Sequence, residues 1–182
     1  QRYHPSRNIP IPIEEIVEFQ LDINIVPLPG LHQVLEVDGF TSSDLKNIFV
    51  DQFMSNSRPG RYRFTLAHEV GHVVLHQNVY RRAKFENFQE WKDFINSIPD
   101  EDHGWLEYHA NAFAGLILVP WEHLQRLTDE HVRRIRGKGI SLEKNWDFWW
   151  EHIADWLAKD FEVSTQVIYR RLEKERVKEQ YR

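Results

Sequence analysis

The pattern His68-Glu69-x-x-His72 places the strongest constraint on how this chain can fold. In an α-helix, residues four positions apart lie one above the other on the same face, so two histidines at this spacing can converge on one ion. Apolar residues recur at helical spacing through the same segment: Leu66, Val70, Val73 and Val74. The chain is therefore expected to form a helix here that is held by the core.

The residue types in this motif are those of a hydrolytic metal site. Imidazole nitrogens are common zinc ligands, and Glu69 projects beside the ligand pair, where a carboxylate can take a proton from water. The motif thus predicts His68 and His72 as metal ligands and Glu69 as the catalytic base. The alternative is a helix whose histidines only pack or face solvent.

A catalytic zinc site also needs a third protein ligand. The extended metzincin pattern would require Gly at position 75 and His at position 78, and Leu75 and Asn78 exclude that class. Glu107 is the best candidate, because it begins a small, apolar helix expected at 105–119 that must pack near the first one. A carboxylate on such a buried helix is costly unless something pairs with it, and a metal ion is a suitable partner.

Several other polar side chains are candidates for supporting roles at this site. His76 lies one turn beyond His72, and one helix cannot easily bend three imidazoles around one ion, so we assign His76 an orienting or structural role. Asn111 lies four residues after Glu107 and is expected to orient a ligand. The candidates for a second donor that stabilises the reacting carbonyl oxygen are His103, Tyr108, His109 and His123.

Two blocks of the sequence resemble the ImmA/IrrE-type metallopeptidase family. They are Phe64-Thr65-Leu66-Ala67-His68-Glu69-Val70-Gly71-His72 and Glu107-x-x-Ala110-Asn111-x-Phe113-Ala114. The resemblance extends over about residues 13–120 and implies His68, His72 and Glu107 as zinc ligands, with Glu69 as the base. It further implies a regulatory endopeptidase that cuts a protein partner at few sites, such as a helix-turn-helix repressor encoded nearby.

Local patterns predict an α+β fold. Residues 13–20 are typical of a short amphipathic helix, and 21–26, 33–37 and 46–50 are typical of strands in a small antiparallel sheet near the N-terminus. This sheet is expected to pack on a mostly helical, gluzincin-like metalloprotease domain. Further helices are expected at 85–95, 105–119, 121–127 and 142–157, and the acids at 100–102 are expected in a solvated loop.

The whole chain, 1–182, is expected to form one metallopeptidase domain with a catalytic core at 13–120 and a helical extension at 121–182. Residues 161–172 resemble the turn and second helix of a helix-turn-helix unit, with Ser164 as the helix N-cap. Residues 161–182 contain six basic and four acidic residues, and this small excess of positive charge argues against DNA binding. The tryptophan-rich segment 142–157 is either core or a partner surface, and the basic residues at 133–138 favour a solvated loop over a phosphate site.

Composition narrows the function further. The net charge of −5 gives no general attraction for nucleic acid, and the absence of cysteine leaves histidine and carboxylate as metal ligands and suits the cytoplasm. No apolar run is long enough for a membrane span. The first hypothesis is a zinc-dependent endopeptidase; the others are a non-catalytic metal-bearing interaction module of a toxin–antitoxin-like pair and a DNA-binding regulator. Glu69 favours the first, because a structural zinc site needs no base.

Overall fold

The structure, a computed structural model, describes residues 8–85 and 87–181, which divide into two compact units. The first unit comprises 12–114, and the second comprises Asn8–Ile11 and 115–181. The expected single domain with a core at 13–120 stays a prediction. In the described part of the chain, none of the helices combines the length and the apolar character that crossing a bilayer requires.

The first unit contains a three-stranded sheet. Its strands are β1 (Asn24–Leu28), β2 (Gly39–Thr41) and β3 (Asn47–Asp51), in the order β1-β3-β2. β2 pairs antiparallel with β3, whereas β1 pairs with β3 in parallel. The α+β fold with a small sheet near the N-terminus is thus confirmed. The expectation that the sheet is antiparallel was wrong for one of its two strand pairs.

A short helix stands where the second strand was expected. Residues 33–37, expected as a strand, fall largely in a short helix, α2 (Leu31–Leu35), which is flanked by the left-handed residues Gly30 (φ 71°) and Glu36 (φ 58°). The backbone N–H of His32 in its first turn donates a 2.8 Å hydrogen bond to the carboxylate of Asp51. Because Asp51 of β3 fixes the start of this helix, no periodic pattern within residues 31–35 indicates it.

The remaining elements of the first unit are helical. The chain begins with α1 (Ile13–Glu15), which continues as a π-helical turn (Ile16–Gln20). It then forms α3 (Gln52–Ser57), α4 (Pro59–Leu75), α5 (Gln77–Tyr80), α6 (Phe88–Ser97) and the start of α7 (Asp100–Leu118). The acids at 100–102, expected in a loop, lie in the first turn of α7, where the positive end of the helix dipole favours negative charge.

The second unit is helical. Its main helices are α8 (Trp121–Gly137), α9 (Trp146–Phe161) and α10 (Thr165–Lys174), with 3-10 turns at Glu143–Asn145 and Val177–Tyr181. The expected break after 127 and the expected basic loop were wrong, because one amphipathic helix runs through both. Trp150 is buried with the apolar face of α9, so this tryptophan belongs to the core. Ser164 is the N-cap residue of α10, although its side chain makes no capping hydrogen bond.

Candidate metal centre

His68, His72 and Glu107 come together where α4 meets α7. Their potential ligand atoms all lie within 4.8 Å of one another. The Nε2 atoms of the two histidines are 3.0 Å apart. One carboxylate spans both rings, because Oε2 of Glu107 lies 3.3 Å from Nε2 of His68 and Oε1 lies 3.3 Å from Nε2 of His72.

The close approach of α4 and α7 sets this geometry. Gly71 lies between the two histidines and is buried. A Cβ atom added to Gly71 would lie 3.0 Å from the Cα atom of Ala110, so the helices meet almost backbone to backbone. Glu107 lies one turn before Ala110 and is thereby brought to the histidines. The side chain of His72 is only 4% exposed and that of Glu107 is 39% exposed, so the centre opens to solvent on the Glu107 side.

The charges at the centre favour a cation. Burial lowers the pKa of His68, but the hydrogen bond with Glu107 and the negative charge of Glu69 outweigh it and raise the pKa. Burial likewise raises the pKa of Glu107, but hydrogen bonds with His68 and His72 hold it well below its usual range. Glu107 is therefore ionised, and two imidazole nitrogens with one carboxylate form a donor set that fits a divalent cation such as zinc.

Glu69 is buried beside these three residues. Its side chain lines the same cleft and its Oε2 accepts a 2.8 Å hydrogen bond from Oγ1 of Thr41. The cleft has a volume of about 370 Å³. The apolar part of its wall consists of Val37, Phe40, Phe64, Tyr80, Trp91 and Ile95. The centre thus combines a set of metal-ligand atoms, a buried carboxylate and room for an apolar side chain.

The other histidines named from the sequence lie at different distances from the centre. The Nδ1 atoms of His76 and His72 are 3.0 Å apart, which fits an orienting role for His76. His103 lines the cleft, and its Nε2 lies 3.8 Å from Oε1 of Glu107. The ring of His109 stacks 5.8 Å from that of His76. His123 belongs to the second unit.

Two more side chains of α7 can be placed. Asn111 lines the cleft, but its Nδ2 donates a 2.8 Å hydrogen bond to the backbone carbonyl of Glu107, one turn earlier. It thus contacts the backbone of an expected ligand. Tyr108 is 54% exposed and its ring packs against Trp105, which makes it a surface residue of this helix.

Two residues that line the cleft, Tyr80 and Trp91, and one that bonds to Glu69 behind it, Thr41, carry no functional signal in the sequence. Thr41 comes from β2, Tyr80 from α5 and Trp91 from α6. Tyr80 is buried with its ring centre 5.5 Å from that of His72, and burial raises the pKa of its phenol. Trp91 packs against Phe40 at a ring distance of 5.0 Å. Only the folding of distant segments brings these residues to the centre, so no local spacing could have indicated them.

A helix that bears two histidines is here packed against a helix that bears a glutamate, an arrangement typical of metallopeptidases. The model of the IrrE N-terminal-like domain, a peptidase family, matches residues 20–173, and the chain belongs to this family. The resemblance to ImmA/IrrE-type metallopeptidases is therefore confirmed, and membership of a metallopeptidase family implies a metal ion. No curated protein sequence matches the chain.

Several solved structures match the fold, and one of them can be described. It is described as a Mycobacterium tuberculosis transcriptional regulator, and it superposes with a TM-score of 0.55 at 16% sequence identity. The alignment covers 88% of this chain but only 39% of that chain. The likeness therefore concerns the fold, and this chain corresponds to well under half of the longer protein.

Proposed function

We propose that this protein is a zinc-dependent endopeptidase in which His68, His72 and Glu107 hold the metal and Glu69 is the general base. The observation that carries the proposal is the convergence of three donor side chains within 4.8 Å. Glu69 lines the same cleft and is only 4% exposed. A site that served structure alone would have no need of a second, buried carboxylate beside the three ligands.

The chemistry that zinc supplies when bound is Lewis acidity toward the scissile carbonyl and toward water. His68 and His72 present their Nε2 atoms, and Glu107 contributes the negative charge that balances the cation. Glu69 accepts the proton of the attacking water and then delivers it to the nitrogen of the leaving amine, so that the peptide bond is replaced by an acid and an amine. We favour His103 as the donor to the charge that develops on the carbonyl oxygen, because it lines the cleft beside Glu107.

The sheet supports an extended peptide as the substrate. β2 is an edge strand, and Gly39 and Phe40 line the cleft. The backbone N–H of Ser42 donates a hydrogen bond to the carbonyl of Asn47 on β3. In an antiparallel pair, every second residue bonds to the partner strand, so the N–H and C=O groups of Gly39 and Thr41 point away from β3. A peptide can add to such an edge through main-chain hydrogen bonds.

We further propose that the protease is regulatory and acts in the cytoplasm on a protein partner, such as a helix-turn-helix repressor encoded nearby. Membership of the IrrE N-terminal-like family supports this proposal. The structure with the shared fold is described as a transcriptional regulator, which agrees with a place in the control of transcription.

The test compares wild type with Glu69→Gln, using Glu101→Gln as the control for loss of an exposed carboxylate. Each protein is loaded with zinc, its metal content is measured, and it is mixed with the protein encoded next to its gene. All three are expected to bind about one zinc ion, and only wild type and Glu101→Gln are expected to cleave. Equal cleavage by Glu69→Gln would overturn the assignment of the base. Tight binding without cleavage by wild type would favour the interaction module instead.

A further inference from the structure

We propose that Thr41 is a positioning residue for Glu69, an inference that rests on the proposed peptidase function. The hydroxyl Oγ1 of Thr41 donates a 2.8 Å hydrogen bond to Oε2 of Glu69. Thr41 is fully buried and Glu69 is 4% exposed, so the contact is shielded from bulk water. Thr41 thereby fixes the orientation of the carboxylate that exchanges protons in the reaction.

The hydrogen bond distinguishes the two oxygens of Glu69. A carboxylate that is free to rotate presents either oxygen, whereas a carboxylate anchored at Oε2 presents Oε1. Among the described residues, no side chain forms a hydrogen bond with Oε1 of Glu69. Oε1 is thus the oxygen that accepts the proton, and Thr41 holds the other oxygen throughout the cycle.

Thr41 is itself held in place. It lies on β2 opposite Ile48 of β3, so the sheet fixes its backbone. Two residues earlier, a Cβ atom on Gly39 would lie 2.8 Å from Cγ2 of Thr65, which shows that β2 lies directly against α4. A catalytic group is positioned best by a partner on a rigid element, and here the strand and the helix that bears Glu69 are in contact.

Threonine is a suitable residue type for holding the Glu69 carboxylate. A β-branched residue has few χ1 rotamers, so the hydroxyl of threonine loses little freedom when it binds the carboxylate. The hydrogen bond also satisfies a buried charge, which a purely structural role would equally require. The positioning role and the purely structural role of Thr41 predict different effects of losing the hydroxyl. Only the positioning role predicts a slower chemical step.

The test uses zinc-loaded wild type, Thr41→Val and Thr41→Ser with the protein encoded next to its gene as the substrate. Valine has nearly the shape of threonine but no hydroxyl, and serine restores the hydroxyl. Thr41→Val is expected to lower kcat by about 10- to 100-fold with KM and zinc content unchanged, since a small misplacement of a catalytic group has effects of this size. Thr41→Ser is expected to recover most of the loss.

The matched control is Thr128→Val. Thr128 is also fully buried, and its hydroxyl donates a 2.7 Å hydrogen bond to the carbonyl of Leu124 in the second unit. This variant is expected to keep the wild-type kcat even where it loses stability. An unchanged kcat in Thr41→Val, or a Thr41→Ser variant as impaired as Thr41→Val, would overturn the proposal.

A second measurement does not depend on turnover. Crystal structures of zinc-loaded wild type, Thr41→Val and Thr41→Ser report the orientation of the Glu69 carboxylate. A carboxylate that turns in Thr41→Val and keeps its place in Thr41→Ser supports the positioning role, and a carboxylate unmoved in Thr41→Val overturns it. A wild type that does not cleave the protein encoded next to its gene would instead overturn the peptidase function, while the crystal structures still decide what Thr41 does.

Discussion

Gly71 and Ala110 are in such close contact that a Cβ atom on Gly71 would lie 3.0 Å from the Cα atom of Ala110. Gly71 stands between His68 and His72 on α4, and Ala110 stands one turn after Glu107 on α7. The packing distance of the two helices therefore sets the gap between the histidines and the glutamate. A small residue is required at position 71 for this approach, in a helix where glycine would otherwise be unfavourable.

Substitution Gly71→Ala is expected to push α7 away by a few tenths of an ångström and to weaken zinc binding by about tenfold, because the ligand atoms no longer converge. Competition with a zinc chelator measures the affinity. The control is Gly104→Ala on α7, where the added Cβ meets nothing within 4 Å. It should keep the zinc affinity and raise stability by up to about 1 kcal/mol through helix propensity. Equal zinc affinity in the two variants would contradict the packing argument.

His76→Phe removes the ring nitrogen that lies 3.0 Å from Nδ1 of His72. A metal ligand whose second nitrogen loses its partner is less well oriented, so zinc affinity is expected to fall by about 10- to 100-fold. His109→Phe is the control, because its ring packs near His76 without a hydrogen bond to a ligand. Competition with a zinc chelator measures the affinity. A similar zinc affinity in His76→Phe and His109→Phe would contradict the orienting role of His76.

Glu107→Gln keeps the shape of the side chain and removes its charge. With only two histidines left as strong ligands, zinc is expected to be lost on dialysis, whereas the exposed Glu101→Gln on the same helix should retain it. Atomic absorption measures the metal content of each protein. A fully loaded Glu107→Gln variant would show that another side chain is the third ligand.

Tyr181→Phe tests how much one buried hydrogen bond contributes to the stability of the second unit. The phenol donates a 2.5 Å hydrogen bond to Asp129, and burial together with this bond raises the pKa of Tyr181. Removal of the hydroxyl is expected to lower the free energy of unfolding by about 1 kcal/mol at neutral pH. Because the folded pKa lies above that of the unfolded chain, about 10, the advantage of wild type is complete below this pH and declines above it. Denaturant unfolding of wild type and Tyr181→Phe at several pH values measures both effects.

Short-range periodicity explains what could be predicted from the sequence. The spacing of His68 and His72 and the apolar positions around them required the helix α4, and the alternating residues near the N-terminus indicated a sheet, so the α+β class followed. The assignment of His68, His72 and Glu107 as ligands stays a prediction, although the structure places their donor atoms together.

The rest depended on contacts between distant segments. The hydrogen bond from His32 to Asp51 fixes α2 where a strand was expected, and nothing in residues 31–35 indicates it. Thr41 and Tyr80 are ordinary residues of a strand and a short helix, and they reach the centre only through the packing of β2 and α5. A local pattern reports which face of an element is buried but not which distant side chain it meets.

The chain between His72 and Glu107 includes α5 and α6, and α6 has no fully buried residue. An ion held by residues on both sides of this segment would close it into a loop and so act as a cross-link on the folding of the chain. Hydrogen exchange in α6 is therefore expected to accelerate when the metal is chelated. In a protein without cysteine, such an ion would do for this segment what a disulfide does elsewhere.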